Sequence, residues 1–467
     1  MIMDGAVLGS FRDPAGFMFR KNGLLFRQVD RSYQRHYDHL IGSGLYAALV
    51  ADGLLIPHEE VPELAPVPDR AYRVLQPEPV SFISYPYEWC PAQLRDAALA
   101  TLAIEKRALA HGMSLRDANA FNIQFHRGRP VLIDTLSFGV LDAGAPWVGY
   151  RQFCQHFLAP LALAVHSDVR LSALSRIHID GIPLDLASRL LPFRTRLNAG
   201  LLAHLHVHAQ WQHRGADAKT AATPAAGRTI SASARAGLVD SLESTTRALQ
   251  WNPSGTTWGD YYQDTNYSPA AFEHKRAVVG GFLDALAPRN VWDLGANTGE
   301  FSRLASERGI PTLAFDSDAG AVEKSWRSAT AARDAHLLPL LLDVTNPTPG
   351  VGWLDRERDS WLGRGPADVA MALALVHHLA IGNNVPLDMV ASFFAAMSSR
   401  LIIEFVPRED SQVQRMLATR EDIFGGYTHD CFEAAFGRAF MIDERVSVHD
   451  SARTLYRMTR RGTPGIA

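Results

Sequence analysis

Three acids in the second half of the chain each close a short apolar run: Asp293 in VWDLGANTGEF, Asp316 in AFDSD and Asp343 in LLLDVTNP. Asp293 leads into a turn in which Gly295 and Gly299 stand four apart, with Ala296 and Asn297 between them. Glycines at such a place let the backbone approach a ligand closely, and a helix expected to begin near Thr298 or Gly299 presents unpaired N–H groups. The spacing is DxGxxxG, which differs from the GxGxxG that seats a pyrophosphate on a helix N-terminus. An acid immediately before the turn repels a pyrophosphate and suits a cationic ligand with an ammonium group. Asp316, about twenty residues further on, stands where a carboxylate accepts hydrogen bonds from the two hydroxyls of a ribose. Asp343 is placed to accept from an adenine amino group. The ligand so described is a nucleoside without a phosphate.

These acids need a scaffold that brings the ends of successive strands to one edge. From Asn290 onward strand and helix patterns alternate, through ADVAMALALVHHL and RLIIEFVP to RTLYRMTR, while FGGYTHDCFEAAFGRAF reads as a loop and a terminal helix. Alternation of this kind predicts a parallel, doubly wound α/β sheet with its ligand at the carboxyl ends of the strands. The run from about residue 275 to residue 457 resembles a class I S-adenosylmethionine-dependent methyltransferase domain of Rossmann type. By that resemblance Asp293, Gly295, Ala296, Asn297 and Gly299 surround the methionine part of the cofactor, Asp316 the ribose and Asp343 the adenine. ALALVHHL is similar to the motif whose residues face the transferred methyl group. The implied activity is methyl transfer from S-adenosylmethionine to an acceptor that the sequence does not identify.

Methyl transfer from a sulfonium asks mainly for in-line positioning and exclusion of water, and a base when the nucleophile carries a proton. His377 and His378, just past the fourth strand pattern, are candidates for that base, and Glu404 at the end of LIIEF for a base or a substrate-orienting acid; packing, capping or balancing a nearby arginine are the alternatives. The aromatic WGDYYQDTNYSP stretch either covers the cofactor or packs on the sheet.

A second constellation lies in the first half. GFMFRKNGLLFRQV reads as two strands around Asn22 and Gly23, followed by a helical stretch, strand-like AYRVL and VSFISYPYEW, and a long helical pattern from Pro91 to Gly112. In SLRDANAFNIQFHRGRPVLIDTLSF, Asp117 precedes Asn122 by five residues, and a hairpin then delivers Asp134. This resembles the catalytic segment of protein-kinase-like and aminoglycoside-phosphotransferase-like folds, in which the first Asp orients an acceptor hydroxyl and the Asn and later Asp hold magnesium. The resemblance implies an α+β, kinase-like domain and, as an alternative function, a bifunctional or regulatory protein whose first domain binds ATP and magnesium. Against it, no GxGxxG loop joins the first strands, Leu115 replaces the usual His, DTL replaces the DFG-type triplet, and Arg27 is the nearest substitute for the strand lysine. His204, His206, His208 and His213 lie close together, but helical spacing brings only His204 and His208 to one face.

HRGADAKTAATPAAGRTISASARAG carries almost no large apolar residues, which predicts a flexible linker over 213–237 between an N-terminal domain at 1–212 and a methyltransferase domain at 238–467. A formal charge of −3 offers no general basic field for nucleic acid, leaving a local patch as the only route to that partner. Three dispersed cysteines without a CxxC pair argue against a disulfide framework and suit the cytoplasm. The sequence starts without a basic and apolar leader pattern, and no run of about 18 uncharged apolar residues occurs, so neither export nor membrane insertion is expected.

Overall fold

An Asn-Gly pair between two apolar runs is a strong signal for a two-residue hairpin, because both residues tolerate the left-handed backbone that such a turn needs. Asn22 and Gly23, at φ 53° and 77°, join β2 (Gly16–Lys21) to β3 (Leu24–Asp30) in this way. The computed structural model describes residues 5–61, 65–209, 230–253 and 268–462. It divides the chain into two units: Met1–Asn252 together with Gly350–Arg358, and Pro253–Pro349 together with Asp359–Ala467. No helix among the described residues is long and apolar enough to cross a membrane.

In the first unit β1 (Gly5–Ala6), β4 (His58–Glu60) and β5 (Ala71–Pro77) complete an antiparallel sheet of order β1-β2-β3-β5-β4. The helical stretch after β3 is two helices, α1 (Gln34–Gly42) and α2 (Leu45–Ala51), separated by Gly44 at φ 80°. VSFISYPYEW is not the strand expected of it. It is irregular chain ending in a single 3-10 turn at Pro86–Glu88, and side chains satisfy its backbone: Gln124 accepts from the Ser84 N–H at 2.8 Å and Glu88 from the Tyr85 N–H at 2.9 Å. The long helix α3 (Pro91–Ala110) follows, then β6 (Met113–Leu115), the hairpin of β7 (Ile123–His126) and β8 (Arg129–Leu132), and β9 (Phe138–Val140), which pairs with β6. Apart from the strand missing at VSFISYPYEW, this element order is the one that a kinase-like fold implies.

Residues 213–229 of the expected linker lie outside the described residues. Its last part is ordered in α4 (Ala232–Ala248), which packs on α3 of the first unit and does not lead into the second. Val239 and Leu242 are fully buried there, and Lys106 pairs with both Asp240, at 2.6 Å, and Glu243.

The second unit begins with α5 (Pro269–Leu286), whose apolar stripe includes Val279, Phe282 and Leu283 and packs in one core with Val291, Val369 and Ile402 of the sheet. Five strands are mutually parallel: β10 (Val291–Leu294), β11 (Thr312–Asp316), β12 (Leu337–Leu341), β13 (Ala367–Ala372) and β14 (Ser398–Phe405). Burial on both faces accounts for their nearly unbroken apolar sequence. The helices α6 (Ser302–Ser306), α7 (Ala319–Ala332), α8 (Leu387–Met397) and α9 (His429–Ala439) punctuate them. After α9 the chain forms β15 (Phe440–Ser447), a strand the sequence reading missed, and then β16 (Thr454–Arg460), which runs antiparallel to both β14 and β15. The sheet order is β12-β11-β10-β13-β14-β16-β15. Strand order reverses beside β10, which places a crevice at the carboxyl ends of β10, β11 and β13.

Candidate functional site

The glycine turn is shaped by three left-handed residues: Gly295 at φ 71°, Asn297 at 51° and Gly299 at 84°. Because the backbone turns back on itself here, with the Gly299 N–H donating to the Ala296 carbonyl, the following helix begins only at Ser302 and not at Thr298 or Gly299. A side chain on Gly295 would meet Leu375 at 3.3 Å, and one on Gly299 would meet Ser325 Oγ at 2.8 Å. Gly299 therefore lets the turn pack on α7, whereas Gly295 keeps the crevice open.

That crevice is a cavity of about 340 Å³, and Asp293, Gly295, Ala296, Asn297, Asp316 and Asp343 all line it. Asp293, buried at the end of β10, accepts from Ser302 Oγ at 2.6 Å. Burial raises its carboxyl to about 7, against the opposing pull of Ser302 and of the Lys275 charge. Asp316 ends β11 and accepts from the backbone N–H groups of Asn297 and Asp318, both at 2.8 Å; burial raises it to about 6 in spite of them. Asp343 is exposed and turned by Thr345, whose N–H donates to it at 2.8 Å and whose hydroxyl donates at 2.6 Å. Two buried carboxyls with raised proton affinity are a cradle that a cation relieves.

The candidates for a base separate in space. His378 lines the cavity, half-buried, and burial lowers its pKa, so its imidazole is neutral and able to accept a proton near pH 7. His377 does not line it. It is 2% exposed, its Nδ1 is buried without a hydrogen-bond partner, and burial together with the charges of His378, Arg453 and Lys275 drives its pKa well down. Glu404 is fully buried and accepts from Lys275 Nζ at 2.7 Å. His377 and Glu404 are thereby withdrawn as bases.

Lys275, Phe272, Phe301 and Ala374 also line the cavity and were not singled out from sequence. Lys275 had a signal, since it falls on the apolar stripe of α5 with Ala271 and Val279, where a lysine has to be paired. Ala374, at φ 52°, is a left-handed non-glycine residue that no sequence pattern announces. WGDYYQDTNYSP lies outside the described residues except for its last two positions.

In the first unit Asp117, Asn122 and Asp134 form one linked group whose polar atoms are engaged internally. Asp117 accepts from the Asn119 N–H at 3.0 Å and interacts with Asn122 and Gln152, while burial raises its pKa. Asn122 donates to Ser137 Oγ at 3.3 Å, and Ser137 Oγ donates to Asp134 at 3.1 Å. Arg27, on β3, lies 3.2 Å from Asp134 and 2.6 Å from Asp13, so a guanidinium stands where a kinase-like site would hold a lysine and a metal ion. Of the clustered histidines, His213 lies outside the described residues and the other three make structural contacts. His204 bonds Tyr150 and Ser241, both at 2.9 Å, His206 bonds Ser188 and Thr195, and His208 stacks on Tyr150.

A doubly wound sheet in this order, with one antiparallel strand near its edge and its acidic cleft at the reversal point, defines a Rossmann-type methyltransferase fold. The chain belongs to the family of the nodulation protein NoeA of Rhizobium meliloti (strain 1021), to which it is 34% identical over 462 residues, covering 98% of this chain and 96% of that protein. No family model matches it. Similar solved structures include the bifunctional kinase-methyltransferase WbdD (15% identity, 43% of this chain and 42% of that one, TM-score 0.30). Two others are the magnesium protoporphyrin IX methyltransferase ChlM of Synechocystis PCC 6803 with bound SAH (17%, 44% and 93%, 0.31) and the N-methyltransferase NodS of Bradyrhizobium japonicum WM9 (14%, 42% and 99%, 0.31). At these scores the likeness adds nothing to the fold assignment, which stands on the strand order and the cleft.

Proposed function

We propose that the second unit transfers a methyl group from S-adenosylmethionine to an acceptor bound beside His378. The observation that carries this reading is the convergence of Asp293, Asn297, Asp316 and Asp343 with the glycine turn on one cleft at the strand reversal. The residues fit the cofactor: Asp316 offers carboxylate oxygens to a ribose, Asp343 an acceptor to an amino group, and Asp293 a buried negative charge to an ammonium or sulfonium. When bound, the cofactor supplies an electrophilic methyl group on an excellent leaving group, so the protein's tasks are orientation and proton removal. Phe272, Phe301, Leu373 and Leu375 exclude water from the cleft, and His378 takes the proton of the acceptor nucleophile. Asp134, already facing Arg27, gives the alternative of ATP and magnesium in the first unit no support.

The test is transfer of a tritiated methyl group from S-adenosylmethionine into fractionated lysate, with the label traced to a molecular class. Label that appears with the wild type and vanishes with Asp316→Ala supports the reading. Absence of any label with wild type that binds the cofactor would count against transfer.

A further inference from the structure

In the first unit the segment Leu184–Leu190 is helical, and Pro192 keeps it from running on. The chain re-forms at once as a single 3-10 turn, Phe193–Leu197, of sequence FRTRL. With three residues per turn, Phe193 stands over Arg196 and Arg194 over Leu197, while Thr195 has the third face to itself. That third face is the inward one. Thr195 is 2% exposed, donates to the Pro192 carbonyl at 2.7 Å and bonds His206 Nε2 at 2.9 Å. Phe193 and Leu197 are left 76% and 81% exposed. Two further bonds fix the segment, Arg194 donating to the His166 carbonyl and Ser167 Oγ to the Leu190 carbonyl, both at 3.0 Å.

Charge along this stretch has one sign: from residue 186 to residue 209 the chain carries three arginines and no acid. Asp185 is taken by Arg189, and Asp168, two residues beyond the carbonyl that Arg194 holds, by Arg170. Arg194 and Arg196 pair with no carboxylate among the described residues. Large apolar side chains that are three-quarters exposed project from the surface, and a projecting tip suits a deformable partner better than a preformed pocket. Arginines beside it suit a partner that is anionic. We infer that the Phe193–Leu197 turn rests on an anionic lipid surface, with Phe193 and Leu197 at the boundary of headgroups and acyl chains and with Arg194 and Arg196 against lipid phosphates. This is attachment to a surface and not a span, in keeping with the absence among the described residues of a helix able to cross a membrane. It concerns the first unit alone and does not depend on the cofactor reading.

The experiment is co-sedimentation of the full chain with vesicles of phosphatidylcholine alone and of phosphatidylcholine with about 30% phosphatidylglycerol, at about 0.1 M salt. Phe193→Ser/Leu197→Ser removes the apolar tip and Arg194→Gln/Arg196→Gln the charges; none of the four side chains is buried, and each variant is checked for wild-type-like thermal unfolding. Wild type should partition about tenfold or more in favour of the anionic vesicles. The apolar variant should lose about tenfold or more of that binding. The arginine variant should lose about 10- to 30-fold, at about fivefold per charge, together with the preference for anionic lipid. Arg438→Gln/Arg445→Gln removes the same charge from exposed positions of the second unit and should leave partition unchanged. Wild type that ignores both vesicles, either site variant partitioning like wild type, or a control that loses as much as the arginine variant would overturn the inference. Self-association abolished by Phe193→Ser/Leu197→Ser, without vesicle binding, would also overturn it and make the turn a contact between copies of the chain.

Discussion

Asp293 and Asp316 retain protons at pH values where ordinary carboxyls have lost them, at about 7 and about 6. A cation binds the ionised pair, so binding releases protons wherever the free protein still holds them. The sign follows: cofactor affinity falls as pH drops below about 7. Between pH 8 and pH 6 the expected loss is about twentyfold, most of it from Asp293. Calorimetry in buffers of different ionisation enthalpy checks this at pH 6 through the released protons; a pH-independent affinity would mean that these acids do not meet the cation. His378 makes a different prediction. Its lowered pKa keeps it neutral through pH 7, and His378→Ala should slow methyl transfer by about 100-fold or more while leaving cofactor affinity nearly unchanged. Single-turnover rates with saturating cofactor separate the two effects.

At the scale of elements, the glycine turn and α7 depend on one another. Replacing Gly299 by Ala imposes a side chain at φ 84° and brings its Cβ within 2.8 Å of Ser325 Oγ, with an expected cost of about 1 to 2 kcal/mol. Urea unfolding should show a lower midpoint with an unchanged slope. Elements of this unit were legible wherever local chemistry and long-range role coincide. Each parallel strand is apolar because it is buried on both faces, and β10, β11 and β12 lead at their carboxyl ends to Asp293, Asp316 and Asp343, which line the cleft. Signals failed where tertiary contacts override local preference. β15 alternates weakly at the sheet edge, since residues such as Glu444 and Arg445 keep it partly polar. VSFISYPYEW carries the aromatic and β-branched residues of a strand, yet Gln124 and Glu88 satisfy its backbone in place of a neighbouring strand. Lys275 and Glu404 lie 129 residues apart, and nothing local pairs a buried lysine with a strand glutamate across that distance. The hairpin at Asn22 and Gly23 was readable because its determinant is wholly local.

For the whole molecule, the two units predict different responses to ligands. S-adenosylhomocysteine should stabilise the second unit by mass action, about 2.7 kcal/mol at a hundredfold excess over Kd, and the thermal shift should be larger at pH 8 than at pH 6 because the raised acids must ionise. ATP with magnesium should leave the melting profile unmoved, since Arg27 already pairs with both Asp13 and Asp134; a clear shift would show that the guanidinium yields its place. The central claim is narrower than any of these: carboxylates at the ends of adjacent strands hold a cationic sulfur nucleoside. Its most direct test is calorimetric titration of wild type, Asp293→Ala and Asp316→Ala with S-adenosylmethionine at pH 8. Saturable one-to-one binding by the wild type, weakened about tenfold or more in each variant, is the predicted result. Unaltered affinity in both variants, or no binding by the wild type, would contradict it.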